Sequence, residues 1–387
     1  MSGCRFRRLL LAVVWLAGTF LAGTSAARAT QNAADPTERI VALPTGIAMR
    51  YVESGDPMGD TVVFLHGYTD SSLSFGPTIQ SLLALRPEVR ALAVDLRGHG
   101  GSSLPPDAKC VPEPELCFTV ARLAEDILAF LDALGVERAH LVGHSLGSMI
   151  AQDVALAAPE RVASLVLIAP AARVGGNPAI QEFILGQLIE GTWKPALEAR
   201  GSRWPADAYT LTPLDADPHA EAWLAANWVT EIAADPAYLA EMARRTARVP
   251  VGTWLGVARA VLGFDNVVRL AELRVPVLVL WATQDAVITE SDQVVLRSAL
   301  DEAARACRLT YVWKSYGREP LPAPGAQLTD LGHNFHWGAA EAVAADIAAW
   351  YEGGAPTADH HFADPAEPRR IVTAPGEAIL LRGPSCP

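Results

Sequence analysis

His140-Leu141-Val142-Gly143-His144-Ser145-Leu146-Gly147-Ser148-Met149-Ile150 is the stretch on which the reading of this chain turns. A short apolar run, His140 to Val142, reads as a strand, and Leu146 to Ala157 reads as a helix. Between them stands G-x-S-x-G, the pattern of a nucleophile elbow. Ser145 must sit on a sharp, strained turn so that its hydroxyl stands clear of the sheet. Side chains two residues away on either side would collide there, which accounts for Gly143 and Gly147.

The same alternation extends outward. Val62–Leu65, Val89–Val94, Val162–Ile168, Val275–Trp281 and Leu309–Trp313 are short, β-branched apolar runs. Helical patterns lie between them at about Phe75–Leu85, Thr119–Leu134 and Ala339–Tyr351. Strands alternating with helices of this length predict an α/β fold, a mostly parallel sheet covered on both faces. Ile40 to Val52, broken at Pro44-Thr45-Gly46, predicts an antiparallel hairpin at one edge. Between Pro170 and about Arg274 there is no strong strand signal. Trp193, Trp204, Trp223, Trp228 and Trp254 all fall in that interval, which reads as a helical insertion over the sheet. Trp on amphipathic helices mostly packs against a core, so these five are only a slight hint of an aromatic or bulky apolar substrate.

A serine hydroxyl is a poor nucleophile without a base, and in this kind of fold the order is Ser, acid, His. His333 follows Leu331-Gly332 and precedes the last helix, where an imidazole can swing over the elbow. His336 and His219 are its rivals. Asp285 comes just after the strand Val277–Trp281, at the carboxyl edge where open α/β sheets place their sites. Asp330 competes with it. The acid would hold the imidazole tautomer and stabilise its cation. Two backbone N–H groups must meet the oxyanion, and those of Leu146 and Tyr68 are expected to do so. Gly67 would let that loop approach. His66 and His144 are expected to be braces, and Asp95-Leu96-Arg97-Gly98-His99-Gly100 a polar loop network without direct chemistry.

Arg5, Arg7 and Arg8 precede an apolar run from Leu9 to Gly23, and Ala27-Arg28-Ala29 fits a cleavage site. Residues 1–29 therefore read as a signal peptide, the alternative being an uncleaved anchor; 15 apolar residues are short for a span of about 20. A secreted or periplasmic protein follows, with no stable membrane span after cleavage. Of the 387 residues, half are hydrophobic, too many for disorder. The formal charge of −12 becomes −16 when four leader arginines leave, which argues against nucleic-acid partners and polyanionic substrates. Cys110, Cys117, Cys307 and Cys386 remain to form disulfides. Cys110 with Cys117 would close a small local loop, leaving Cys307 for Cys386. Neither a C-x-x-C nor a Cys/His cluster is present, so no metal is expected, and chemistry through Ser145 and His333 would need no cofactor.

His66-Gly67-Tyr68, Asp95 to Gly100, Gly143 to Gly147, Asp285 and Gly332-His333, in this order, resemble the α/β-hydrolase family from about residue 38 to 352. After the signal peptide (1–29), the resemblance implies a hydrolase core (30–170 and 266–352) and a helical cap (171–265); the C-terminal extension (353–387) has no family counterpart. It is nearest to the group holding esterases, lactonases, carbon–carbon bond hydrolases, perhydrolases, epoxide hydrolases and haloalkane dehalogenases. The last two are set aside, because they resemble one another in an Asp nucleophile where Ser145 stands here. Ala282 after Trp281 replaces the usual Gly, and the Pro-rich stretch Arg318 to Asp330 is longer than usual.

The expected function is hydrolysis of a small carboxylic ester or lactone, apolar or aromatic, through Ser145, His333 and Asp285. Cleavage of a carbon–carbon bond beside a carbonyl, perhydrolysis or acyl transfer could use the same three residues. A binding protein on a retired hydrolase scaffold is the alternative of another class.

Overall fold

The structure is a computed structural model that describes residues 36–384, apart from 105–109, 111–112 and 324. The expected leader and Cys386 lie outside these residues. β1 (Thr37–Ala42) and β2 (Ala48–Gly55) form the expected front hairpin, turned at Gly46 with φ +90°. β3 (Thr61–Leu65), β4 (Arg90–Val94), β5 (Ala139–His144), β6 (Val162–Ile168), β7 (Val277–Ala282) and β8 (Tyr311–Tyr316) follow. They lie in the order β1-β2-β4-β3-β5-β6-β7-β8, parallel from β4 to β8.

Both faces of this sheet are apolar, because both are covered. Val62 and Phe64 of β3 point into one layer of core, Val63 and Leu65 into the other. Helix α1 (Gly76–Leu85) and the helix Ala340–Gly353 cover the first face. Helices α2 (Val120–Ala133) and α3 (Leu146–Ala157), with the helix Glu290–Arg305, cover the second. Burial on both faces is why these strands read as unbroken apolar runs rather than as alternation. The last core strand runs Tyr311–Tyr316, displaced toward the C-terminus from the expected Leu309–Trp313, because Lys314 and Ser315 interrupt the apolar pattern. Lys314 is fully buried, and its charge is met by Asp346 at 2.7 Å.

The chain leaves the sheet after β6 and returns at β7. The two ends of this excursion meet in an isolated antiparallel bridge between Arg173 and Asp265. Inside it lie helices, among them Pro236–Thr246 and Val251–Leu262. Ala179–Trp193 is wound as a π-helix, wider than the 3.6-residue turn that sequence periodicity assumes. Trp193 and Trp254 pack edge to face in the core, with ring centroids 5.0 Å apart.

The C-terminal extension is built into the fold. β9 (His360–Ala363) and β10 (Ile371–Ala374) form a hairpin, and β11 (Leu380–Arg382) pairs antiparallel with β8. Cys110 and Cys117 are disulfide-bonded, with Cα atoms 5.2 Å apart. Cys307 is also disulfide-bonded, and its expected partner lies outside the described residues. Among the described residues, no helix is long and apolar enough to cross a membrane.

Candidate active site

Ser145 sits between β5 and α3 with φ +49° and ψ −113°, a backbone conformation that L-residues avoid. The glycines beside it answer to crowding and not to their own φ. A Cβ on Gly143 would run into the carbonyl oxygen of Gly147, and one on Gly147 into that of Leu65. The turn leaves the Leu146 amide at the N-terminus of α3, where helix N–H groups have no partner within the helix. Tyr68 follows β3, and neither its amide nor that of Leu146 donates to an acceptor among the described residues.

Asp285 lies three residues past β7 and is buried. Its Oδ1 accepts the amides of Val287 and Ile288 at 2.9 and 2.8 Å, so its own loop fixes the carboxylate. His333 Nδ1 is 2.9 and 2.8 Å from its two oxygens. Ser145, Asp285, His333 and Tyr68 line one cavity of about 920 Å³.

The rival acid is committed elsewhere. Asp330 Oδ1 accepts the amides of Leu331 and Ala363, and Oδ2 that of Arg318, at 2.7–2.9 Å. It ties the loop before His333 to the C-terminal hairpin. His336 is fully buried, with Nε2 3.1 Å from Ser74 Oγ, and does not line the cavity. Nor does His219, which lies at the start of the helix Ala220–Asn227.

The expected braces are in place. Leu96 N–H donates to His66 Nε2 at 2.9 Å, so Nδ1 carries the proton and donates to the Gly67 carbonyl at 2.7 Å. Burial holds His66 near pKa 4. His144 Nε2 donates to the carbonyl of His333 at 3.0 Å. Asp95 takes the amides of Ser72 and Gly101 and the Arg50 guanidinium, and Arg97 makes a bidentate pair with Asp126.

Asp70 was invisible in the sequence, and packing explains other features of the site. Asp70, buried, lines the cavity 3.9 Å from His144 Nδ1. Burial pushes its pKa up to about 7, against the Ser74 hydroxyl and the nearby His333, which favour the anion. A Cβ on Gly67 would lie 2.7 Å from His144 Nδ1 and 3.2 Å from Asp70 Oδ2, so glycine is needed there for close approach. Trp228 and Trp337 wall the cavity, as do Pro320, Leu321 and Leu328 from the long stretch before His333. That stretch is a rim of the site. Asp70, Glu182, Asp285 and Glu290 give the cavity four carboxyl groups, and among the described residues no Lys or Arg lines it. Among the described residues, no group of three or more His, Cys, Asp or Glu side chains could hold a metal ion.

Residues 60–309 match the sequence profile of the family described as alpha/beta hydrolase fold. Over 150 residues the chain is 38% identical to the dihydrolipoyllysine-residue acetyltransferase component of the acetoin cleaving system of Pseudomonas putida, covering 38% of this chain and 34% of that protein. Over 149 residues it is 34% identical to epoxide hydrolase A of Mycobacterium tuberculosis, covering 38% of this chain and 43% of that protein. The chain thus spans less than half the length of these curated relatives. Among solved structures, the enol-lactonase of Burkholderia xenovorans LB400 superposes with a TM-score of 0.55 at 19% identity, over 81% of this chain and 99% of that one. A hydrolase of Pseudomonas aeruginosa PA01 gives 0.56 at 23% identity, over 83% and 98%. At these identities the superpositions bear on fold alone.

Proposed function

This chain belongs to the alpha/beta hydrolase fold family, a family of enzymes, and we propose that it is a serine hydrolase of small carboxylic esters or lactones. One observation carries the reading. His333 Nδ1 lies within hydrogen-bond distance of both oxygens of Asp285, and both residues line the same cavity as the strained Ser145.

The chemistry follows from that arrangement. With Nδ1–H donating to Asp285, His333 Nε2 is left with its lone pair. Ser145 Oγ attacks the substrate carbonyl and its proton passes to Nε2. The oxyanion is met by the amides of Leu146 and Tyr68, and Asp285 stabilises the imidazolium. Collapse expels the alcohol, which takes the proton from His333. Water then attacks the acyl-enzyme with the same base, and the acid leaves. A serine, not a carboxylate, stands at the elbow, which argues against direct epoxide opening in this chain.

Substrate charge can be narrowed. The cavity is walled by Trp228, Trp337 and Phe183 and carries four carboxyl groups, with no Lys or Arg among the described residues that line it. A neutral apolar or aromatic ester fits this lining, and one ending in a carboxylate does not. The Cys110–Cys117 disulfide supports an oxidising compartment, in keeping with secretion.

The test is labelling with a fluorophosphonate probe, followed by peptide mapping. The label is expected on Ser145 and absent from Ser145→Ala, which should also lose turnover of p-nitrophenyl butyrate. Labelling of another serine overturns the assignment. Labelling of Ser145 without hydrolysis of any ester or lactone in a graded panel would move the reading to carbon–carbon bond cleavage or acyl transfer.

A further inference from the structure

One stretch of four residues in the excursion between β6 and β7 reaches both loops on which the proposed chemistry depends. Trp228 Nε1 donates to Thr69 Oγ1 at 2.9 Å, next to Tyr68. Glu231 Oε2 accepts the amide of Gly332 at 3.2 Å, and the Thr230 carbonyl accepts Asn334 Nδ2 at 3.1 Å. His333 is the residue between those two grips. Trp228, Val229 and Thr230 line the cavity, whereas Glu231 lies behind them and does not.

Both contacts fall where the backbone needs holding. Thr69 has φ +65°, a conformation that a β-branched residue keeps only when its surroundings impose it. Trp228, and Thr246 from the helix Pro236–Thr246, both bond to it. Glu231 is 3% exposed, and its Oε1 makes no hydrogen bond of normal geometry. Burial pushes its pKa up to about 8, although the amides of Gly332, Ala233 and Ile232 favour the anion. A carboxyl group in that position is costly, and an apolar side chain would pack there at less expense. The hydrogen bond its carboxyl group accepts comes from the loop of the base.

We propose that Glu231 is a positioning residue that holds Gly332, and through it the His333 imidazole, in register with Asp285 and Ser145, and that Trp228–Glu231 couples this loop to the Tyr68-Thr69 loop. A substrate seated against Trp228, Val229 and Thr230 presses on both loops at once. The inference rests on the serine-hydrolase reading for its catalytic consequence, but not for its geometry.

The full chain carrying Glu231→Leu and Glu231→Gln is compared with wild type. The readouts are kcat and KM on p-nitrophenyl butyrate, the melting temperature, and the downfield NMR resonance of the His333–Asp285 proton. Leu keeps the volume and removes the acceptor; Gln keeps the acceptor. E231L is expected to lower kcat about 30- to 100-fold with KM within about twofold, since misplacement by an ångström costs about that much. Its melting temperature should not fall, and the downfield resonance should shift or vanish. E231Q should restore kcat to within about threefold and restore the resonance. Should E231L not fold, Asn334→Ala cuts the other grip, and the same shift of the resonance is expected. Wild-type kcat and an unmoved resonance in E231L, or in N334A where that variant stands in, overturn the proposal. So does a kcat loss in step with a fall in melting temperature. A wild-type enzyme inactive on every ester, yet with a resonance moved by E231L, fails the hydrolase reading and keeps the positioning role.

Discussion

His144 Nε2 donates to the carbonyl oxygen of His333 at 3.0 Å. The residue before the elbow serine thus holds the backbone of the residue that bears the imidazole. Because a carbonyl only accepts, the proton is on Nε2 and Nδ1 is bare; Nδ1 makes no hydrogen bond. Burial, with His336 and His333 close by, keeps the ring's pKa well below the ordinary value. The ring therefore acts as a neutral clamp. His144→Ala should lower kcat about 10- to 100-fold with little change in KM. Wild-type kcat in that variant would show that the clamp does nothing for turnover.

The two acids that sequence spacing could not separate are expected to fail in different ways. Asp285→Asn should cost kcat about 10⁴-fold by imposing the wrong imidazole tautomer, with modest loss of stability. Asp330→Ala should leave two buried amides, those of Leu331 and Ala363, without acceptors, at about 1–3 kcal/mol each, and lower the melting temperature while the folded fraction keeps turning over. Active-site titration with the fluorophosphonate separates rate from folded fraction. An Asp330→Ala enzyme that is fully folded but inactive would reverse the roles.

Glu231 and Asp70 are expected to make stability fall as pH rises. Their carboxyl groups titrate near 8 and 7 in the fold, against ordinary values of 4.5 and 3.8. Between roughly pH 4 and 8 the unfolded chain has given up these protons while the fold still holds them, so folding loses ground across that window. Buried neutral histidines such as His66 and His99 act oppositely, losing stability as pH falls below 6.5. Comparison with variants isolates the acids. Glu231→Gln and Asp70→Asn should match wild type near pH 4 and exceed it near pH 8 in urea midpoint. A gap that widens toward acid would refute the shifts.

Substrate charge gives a further measurement. A neutral p-nitrophenyl ester should be turned over at least about tenfold faster, in kcat/KM, than a hemi-diester of equal length ending in a carboxylate, and added salt should narrow the gap. Glu182→Gln with Glu290→Gln, both at exposed positions lining the cavity, should narrow it too. Equal rates in low salt would remove charge from the account of specificity.

Much of the frame was legible because it rests on local chemistry. Continuous apolar runs mark strands buried on both faces, and Gly143 and Gly147 mark a place where the backbone has no room. Other parts were not legible, for particular reasons. The helix Glu290–Arg305 carries a capping signal, Thr289 with Asp292, but its exposed face dilutes the apolar stripe. β11 is three residues long and gains its meaning only from β8 beside it. Asp285 and Asp330 differ by what their oxygens touch, not by spacing. Glu231 is one acid in an unremarked loop until burial shows what it was placed against. Cys110 and Cys117 were legible because seven residues bring two cysteines together without help from the rest of the fold.

β11 also alters how this molecule meets its own kind. Without it, the six residues of β8 would offer their N–H and C=O groups along the flank of the sheet. With it, that flank is a three-residue strand ending in Arg382, too short and too charged to seed a continuous ribbon with a neighbour. On the opposite flank the outermost described strand is β1, six residues long and mostly exposed, with Glu38 and Arg39 in it. Self-association through strand pairing therefore has a preferred side, and Ile40, 68% exposed between charged neighbours and Val41, is where a charge would discourage it most directly.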